Sequence, residues 1–230
     1  MPARTRLLIF AKAPQAGLAK TRLIPALGAA GAADLARQML AHTLAQALAA
    51  QAQAVELCMS PAAGDPAWLG VALPGALELS AQGDGDLGAR MDRAMNRALA
   101  RQAGPVLLMG SDCPALSAAH ISEAARQLAQ HDAVLVPAAD GGYVLIGLNA
   151  PCPEVFTDMA WSTPGVATET LRRLEALGLK VWLGTTLHDI DEPADLQYLP
   201  AGFLPHSGNY SGHCMQPAFL APSPSGRGLG

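Results

Sequence analysis

Two apolar stretches of the chain are followed by acidic residues. "PVLLMG" (105–110) leads to Asp112, and "KVWLG" (180–184) precedes the segment "HDIDEPADL" (188–196). Because ligands of open parallel sheets bind outside the carboxyl ends of the strands, carboxylates at two such ends could meet over one crevice. Their oxygens suit Mg²⁺ or Mn²⁺, which completes its shell with water and phosphate oxygens. The alternatives are a simple turn at Asp112 and an acidic helix start at 188–196.

A basic loop follows the first apolar stretch of the chain. The segment "FAKAPQAGLAKTRL" (10–23) contains Lys12, Gly17, Lys20 and Arg22. Three cations and a glycine at the carboxyl end of a strand suit a polyphosphate, with backbone N–H groups as further donors. The spacing G-x-x-x-x-G-K-[ST] of a Walker A loop is absent. The alternative interpretation is a solvated basic turn.

An aspartate followed by two glycines lies in "PAADGGYVLIG" (137–147). A hairpin turn explains Asp140, Gly141 and Gly142 by itself. Glycines also let a backbone approach a ligand closely. In that case Asp140 could accept hydrogen bonds from sugar hydroxyls or act as a base.

Two further segments are candidates for contacts with a nucleotide. "QGDGDLGARM" (82–91) could pack a base or ribose against its backbone around Asp86 and Gly88, or Asp86 could simply cap the following helix. Trp161 in "WSTPGV" (161–166) could stack on a sugar or a base, or belong to the core.

The cysteines suggest neither a zinc site nor a disulfide framework, since Cys58, Cys113, Cys152 and Cys214 lack pair spacing. Cys113 stands next to Asp112 and is a possible nucleophile by position. No histidine is placed locally to activate it, which argues against that role.

Short apolar stretches alternate with helical patterns along the chain. Helical spacing connects Leu35 to Leu48 and Leu87 to Leu99, Ser117 can cap a third helix, and Thr163–Pro164 opens a fourth that ends at Gly178. Strands are predicted at 5–10, 54–59, 105–110, 133–138, 143–148 and 180–184. The alternation predicts a three-layer α/β fold with a mostly parallel sheet. The hairpin within 134–148 makes that sheet mixed.

Composition limits the classes of protein that the chain can belong to. Of 230 residues, 50% are hydrophobic and 15% charged, and the net charge of −4 comes without a Lys/Arg block. This argues against a nucleic-acid surface. No apolar run approaches the length of a membrane span, and "LLIFA" is too short for a signal-peptide core, so we expect a cytoplasmic protein. We expect one domain over residues 1–200 and a disordered Gly/Ser/Pro-rich tail over 201–230.

Six of these motifs, taken in order, resemble a bacterial family of GT-A-type, glycosyltransferase-like proteins over roughly residues 5–200. They are "FAKAPQAGLAKTRL", "GDLGARM", "LLMGSDCPAL", "PAADGGYVLIGL", "WSTPGV" and "DIDEPADL". One branch of that family is linked with arsenosugar biosynthesis, and the family is similar to phospholactate guanylyltransferase and to the molybdenum-cofactor guanylyltransferases. The resemblance implies a nucleotide-diphospho-sugar transferase (GT-A, Rossmann-like) fold.

The resemblance also implies roles for particular residues. Asp112 and Asp191 would bind Mg²⁺ or Mn²⁺, with Asp189 as a neighbouring residue, and the basic loop would hold phosphates. The relatives' glycine-rich opening is missing, since "AKAPQAGLAKTRL" has one glycine, so their detailed base and phosphate contacts are not carried over. The candidate nucleotide- or substrate-binding residues are Lys12, Gly17, Lys20, Arg22, Asp86, Gly88, Gly141, Gly142 and Trp161, and the candidate catalytic residues are Asp140 and Lys20.

The leading hypothesis for function is glycosyl transfer from a nucleoside-diphosphate sugar to a small-molecule acceptor. The first alternative is nucleotidyl transfer, in which a nucleoside triphosphate and a phosphorylated acceptor react and pyrophosphate leaves. Both reactions need the same metal and the same cations. A nucleotide-binding protein without catalysis is the third reading, because fold does not imply function.

Overall fold

The computed structural model describes residues 5–101 and 104–203. The predicted disordered tail lies outside these residues from position 204 onward. The strands are β1 (Arg6–Lys12), β2 (Ala54–Ser60), β3 (Glu78–Ala81), β4 (Val106–Gly110), β5 (Ala133–Pro137), β6 (Tyr143–Leu148) and β7 (Val181–Leu183). The α-helices are α1 (Ile24–Ala49), α2 (Leu87–Arg101), α3 (Ala118–Gln127) and α4 (Val166–Ala176).

The strands of the described residues form one seven-stranded sheet in the order β3-β2-β1-β4-β6-β5-β7. All neighbours pair in parallel except β6, which is antiparallel to both β4 and β5. Residues 6–11 of β1 are all buried, as expected for a central strand that is covered on both faces. The predicted mixed, mostly parallel sheet is therefore confirmed.

Helices cover both faces of this sheet, which gives the three predicted layers. On one face, Leu40 and Leu44 of α1 and Ile121 of α3 pack with apolar side chains of β1, β2 and β4. On the other face, Met95 of α2 and Leu174 of α4 pack in a second apolar cluster. Among the described residues, no helix has the length and apolar character that crossing a membrane requires.

The hairpin and the helix boundaries can be compared with the turn and capping residues that predicted them. β5 and β6 pair as predicted, and the turn between them is closed by Ala138 N–H donating to Gly142 O at 2.9 Å. Ser117 caps α3 as predicted. α4 begins at Val166 rather than at Thr163–Pro164, so the residues before it stay in a loop. β3 was not predicted, because this four-residue edge strand is mostly exposed and has no apolar run.

A buried network of charges connects β1, β2 and α2. The Glu56 carboxylate, with a side chain only 1% exposed, binds Arg6 at 3.3 Å and also pairs with Arg97. Arg6 in turn donates to Glu78 of the edge strand at 2.7 Å. Removing one partner of such a network leaves buried charge without compensation.

We predict that Glu56→Ala destabilises the fold by about 3 kcal/mol, because Arg6 and Arg97 lose the carboxylate they share. Urea denaturation followed by circular dichroism measures this free energy of unfolding. Glu123→Ala is the matched control, since Glu123 belongs to an exposed pair with Arg126 and its removal changes stability little. An equal, small effect of both substitutions would contradict the structural importance of the buried network.

Candidate functional site

An open cleft of about 790 Å³ lies over the carboxyl ends of β1 and β4. One side is formed by the end of β1 and the basic loop, and the other by the hairpin turn and residues 161–164. The predicted site residues that line it are Lys12, Lys20, Arg22, Asp112, Asp140, Gly142, Trp161 and Asp191. This is the edge where an open α/β sheet binds its ligands.

Backbone hydrogen bonds bring Asp112 and Asp191 together across 79 positions of the chain. The segment after β7 runs beside the hairpin, with Leu187 N–H donating to Pro137 O at 3.0 Å. It then crosses the end of β4, where Ile190 N–H donates to Asp112 O at 2.9 Å. Because Ile190 is fully buried, the next residue, Asp191, is held beside Asp112.

The ammonium of Lys20 lies between these two carboxylates. Its Nζ is 2.6 Å from Asp191 Oδ1 and 3.1 Å from Asp112 Oδ1. The Lys20 side chain is only 7% exposed, whereas the two carboxylates are 41% and 49% exposed. Burial by itself lowers the pKa of Lys20, but the charges and hydrogen bonds of Asp112 and Asp191 outweigh it, so the pKa is raised and the ammonium stays charged.

The other cations of the basic loop are held less firmly than Lys20. Arg22 is largely exposed and faces Glu192 at 3.6 Å, and Lys12 is exposed at the end of β1. Gly17 forms an exposed turn with a φ of +81° and does not line the cleft. The structure therefore gives Gly17 a role in shaping the loop, not a place facing the cleft.

A second pair of carboxylates lies beside the first. Asp140 Oδ1 accepts a hydrogen bond from Gly142 N–H at 2.8 Å, which orients its carboxylate within the turn. The half-buried Asp189 lies close enough for electrostatic interaction with Asp140 and Asp191. Burial and then these two negative charges raise its pKa to about 6.

Gly141 and Gly88 are required for packing. A Cβ on Gly141 would lie 2.0 Å from Pro164 O, so the hairpin turn approaches the loop before α4 closely only because this residue is glycine. A Cβ on Gly88 would lie 2.1 Å from Phe156 O. Neither glycine lines the cleft, and contact of either glycine with a ligand stays a prediction.

Asp86 is the helix cap that the alternative interpretation described. Its Oδ1 accepts a hydrogen bond from Ala89 N–H at 2.8 Å at the start of α2. Asp86 and Gly88 line a separate cavity of about 620 Å³ beside Phe156, not the main cleft. Asp86 and Gly88 thus lie apart from the cleft that contains Lys20, and their binding of a nucleotide stays a prediction.

Trp161 forms part of the cleft wall and also packs against the body of the protein. Its ring contacts Tyr143 edge to face with centroids 6.4 Å apart, and burial raises the pKa of the Tyr143 phenol.

Sequence reasoning missed Tyr143 and Gln82 as lining residues, although both lie in quoted motifs. The Gln82 side chain is buried and donates to Ala11 O and Cys58 O, a role that no local pattern reveals.

Cys113 does not have the environment of a nucleophile. The residue is 5% exposed, and burial raises the pKa of its thiol to about 11. A thiol with that pKa is protonated at neutral pH, and the thiolate is the reactive form. Cys58, Cys113 and Cys152 are all free, and Cys214 lies outside the described residues.

The donor set at Asp112 and Asp191 fits a hard divalent cation. Two partly exposed carboxylates already share one positive charge, the Lys20 ammonium, and their remaining surface is open to the cleft. Mg²⁺ is commonly held by one or two carboxylates together with water and substrate phosphates. In residues 5–101 and 104–203, no cluster of three or more His, Cys, Asp or Glu side chains forms a ready-made metal cage.

Comparisons with known proteins agree with this fold. A family model described as "Uncharacterized protein conserved in bacteria (DUF2064)" matches residues 43–163. A solved structure from Desulfovibrio desulfuricans G20, described as a candidate nucleotide-diphospho-sugar transferase, is 34% identical, with a TM-score of 0.77 over 84% of this chain and 85% of that chain. The chain belongs to the DUF2064 family, and its predicted nucleotide-diphospho-sugar transferase (GT-A-like) fold is confirmed.

More distant structures share the fold at low sequence identity. The manganese complex of Rv0371C from Mycobacterium tuberculosis H37Rv is 14% identical, with a TM-score of 0.53 over 85% of this chain and 97% of that one. CMP:2-keto-3-deoxy-manno-octonic acid synthetase, solved with CTP, is also 14% identical, with a TM-score of 0.53 over 85% and 96%. The search of curated proteins gave no significant match.

We predict that Asp189→Asn raises the melting temperature by a few degrees at pH 7.5 and loses this advantage near pH 4. The carboxyl has a pKa of about 6 in the folded protein and about 3.9 in the unfolded chain. Between these values the folded state binds more protons, so wild-type stability falls as pH rises through this window. The amide variant lacks that loss.

Thermal melting with a chelator present, at half-unit steps from pH 4 to 7.5, measures this difference. Glu175→Gln on the exposed end of α4 serves as the control and should show no such trend. A difference in melting temperature that is the same at every pH would exclude titration of Asp189 as its cause.

Proposed function

We propose that this protein is a metal-dependent glycosyltransferase that uses a nucleoside-diphosphate sugar donor and a small-molecule acceptor. The observation that carries the proposal is the convergence of Asp112, Asp191 and Lys20 at the carboxyl edge of the sheet. The likeness to the Desulfovibrio structure supports the same class of reaction. Membership of the arsenosugar-biosynthesis branch stays a prediction from the six sequence motifs.

The phosphates belong on the basic side of the cleft. Lys12 and Arg22 have exposed charges that can turn toward a diphosphate, and Lys20 adds a third. Asp112 and Asp191 would hold Mg²⁺ or Mn²⁺. When bound, such an ion neutralises the diphosphate and stabilises its departure.

The sugar and the acceptor belong on the opposite side, at Asp140 and Trp161. The ring of Trp161 offers an apolar surface for a sugar, and Asp140 is fixed in orientation by Gly142 N–H. In the transfer, the bond between the anomeric carbon and the diphosphate oxygen breaks, and its electron pair leaves with the diphosphate. The acceptor oxygen bonds to the anomeric carbon, and the Asp140 carboxylate takes the acceptor proton.

Nucleotidyl transfer is the second candidate, because three cations line the phosphate side of the cleft and suit a triphosphate as well as a diphosphate. The basic loop has a single glycine in "AKAPQAGLAKTRL", which favours glycosyl transfer over a reaction that resembles the guanylyltransferases. The two candidates differ in donor, so a binding screen separates them.

We predict that one sugar nucleotide raises the melting temperature in the presence of Mn²⁺ and that Asp112→Asn abolishes the Mn²⁺-dependent part of this shift. A ligand that binds only the folded state stabilises it by about 2.7 kcal/mol at a hundredfold excess over Kd. Thermal-shift measurements with sugar nucleotides, nucleoside diphosphates and triphosphates, each with and without Mn²⁺, test this.

Glu175→Gln is the matched control for Asp112→Asn, since it also converts a carboxylate to an amide but lies on the surface of α4. Release of free nucleoside diphosphate from the stabilising sugar nucleotide would establish turnover. A preference for one triphosphate, with pyrophosphate release, would establish the nucleotidyltransferase alternative. Binding without metal dependence or turnover would favour the non-catalytic reading, and no shift with any nucleotide would reject the proposal.

A further inference from the structure

The Lys20 ammonium lies between two parts of the proposed site: the carboxylates that would hold the divalent ion and the positions for the nucleotide phosphates. Its Nζ makes close contacts with one oxygen of Asp112 and one of Asp191, the carboxylates proposed to hold the divalent ion. The same ammonium is also one of the charges proposed to bind the nucleotide phosphates. A divalent ion on those oxygens would be in contact with a like charge, which costs free energy at such short range.

The surroundings of Lys20 stabilise its charged ammonium between the two carboxylates. Its side chain is 7% exposed, and the paired carboxylates raise its pKa, so the positive charge persists at physiological pH. Charge-assisted hydrogen bonds of this kind are about twice as strong as neutral ones. An incoming divalent ion must therefore compete with an ammonium that is already bound.

Lys20 also has features that permit it to leave. It lies at the start of the short helical turn Thr21–Leu23, at the end of the basic loop, and reaches the carboxylates through a long flexible side chain. Its backbone has a φ of +47°, in the left-handed region that is unfavourable for a non-glycine residue. Lys12 and Arg22 line the same cleft. An anion bound by these two cations would attract the Lys20 ammonium toward them.

We propose that Lys20 is an internal counter-ion that competes with the divalent ion and is drawn away by the phosphates of the nucleotide. This inference rests on the proposed function of the cleft. Metal and nucleotide then bind with positive coupling, because the phosphates supply the anion that replaces the carboxylates as the partner of Lys20. The metal alone binds weakly, since it must displace the ammonium without such compensation.

The test uses Mn²⁺ alone as its first probe. Isothermal titration calorimetry of Lys20→Met should give an affinity for Mn²⁺ about tenfold tighter than that of the wild type, because the competing charge is gone. Lys20→Arg retains the charge and should bind Mn²⁺ as weakly as the wild type. Lys180→Met is the matched control, since Lys180 is exposed at the opposite edge of the sheet, before β7.

A second measurement follows Lys20 in the wild-type protein, so it does not depend on the folding of a variant. The chain contains three lysines, Lys12, Lys20 and Lys180, so ¹³C-lysine labelling gives a simple spectrum of Cε signals. The signal missing from Lys20→Met identifies Lys20. Inorganic pyrophosphate, without metal, should shift that signal as the ammonium exchanges carboxylates for phosphate, and should leave Lys180 unchanged.

The outcomes separate this inference from the proposed function. Equal or weaker Mn²⁺ binding by Lys20→Met, together with intact nucleotide stabilisation of the wild type, would overturn the inference and leave the proposed function standing. A Lys20 signal that stays fixed with saturating pyrophosphate would also overturn the inference. Absence of Mn²⁺ binding by every variant, with and without nucleotide, would overturn both the inference and the metal dependence of the proposed function.

Discussion

The contact of one ammonium with two carboxylates holds the three parts of the cleft floor in place. Burying the Lys20 charge by itself would be expensive, and the fold compensates for it with Asp112 and Asp191. These residues come from the basic loop, the end of β4 and the segment after β7. The ion pairs therefore connect the basic loop to two segments that the backbone hydrogen bond from Ile190 to Asp112 already holds side by side.

The sheet makes this arrangement possible by bringing distant parts of the chain to one edge. β1 and β4 are parallel neighbours, so the basic loop and Asp112 leave the sheet side by side. The segment after β7 extends past β5 and reaches β4 through the hydrogen bond from Ile190 to Asp112. The buried charge network around Glu56 connects the neighbouring strands β1 and β2 near their amino ends. The Arg6 and Glu56 side chains at that end of the sheet are paired in the interior, whereas charged side chains at the carboxyl end line the cleft.

Much of this fold could be predicted from the sequence because the signals are local. Continuous apolar runs mark the buried strands, and the Asp-Gly-Gly turn marks the hairpin. Asp112 could be assigned to a strand end for the same reason. The strand-end argument allowed Asp112 and the segment 188–196 to meet, but the choice of Asp191 within that segment followed only from the family resemblance, since the backbone hydrogen bond that places it leaves no local pattern. The contact of Lys20 with both carboxylates likewise depends on tertiary structure.

Sequence reasoning does not distinguish packing from binding where one residue type serves both. Gly88 and Gly141 looked like places where a ligand approaches the backbone, but Phe156 and Pro164 occupy that space. Asp86 has the same side chain whether it caps a helix or contacts a ribose. The contacts of Gly88 and Gly141 join residues that are distant in the chain, so no local pattern reveals them.

The antiparallel strand β6 has a consequence for how the family can diversify. Because β6 runs against its neighbours, the hairpin turn at 138–142 arrives at the ligand edge without a crossover helix. The turn lies against the segment after β7 and the loop before α4, whereas the other half of the cleft is built on β1 and β4. A changed hairpin turn would thus alter the Asp140 wall of the cleft, while the half proposed to bind phosphates would keep the shape that β1 and β4 give it.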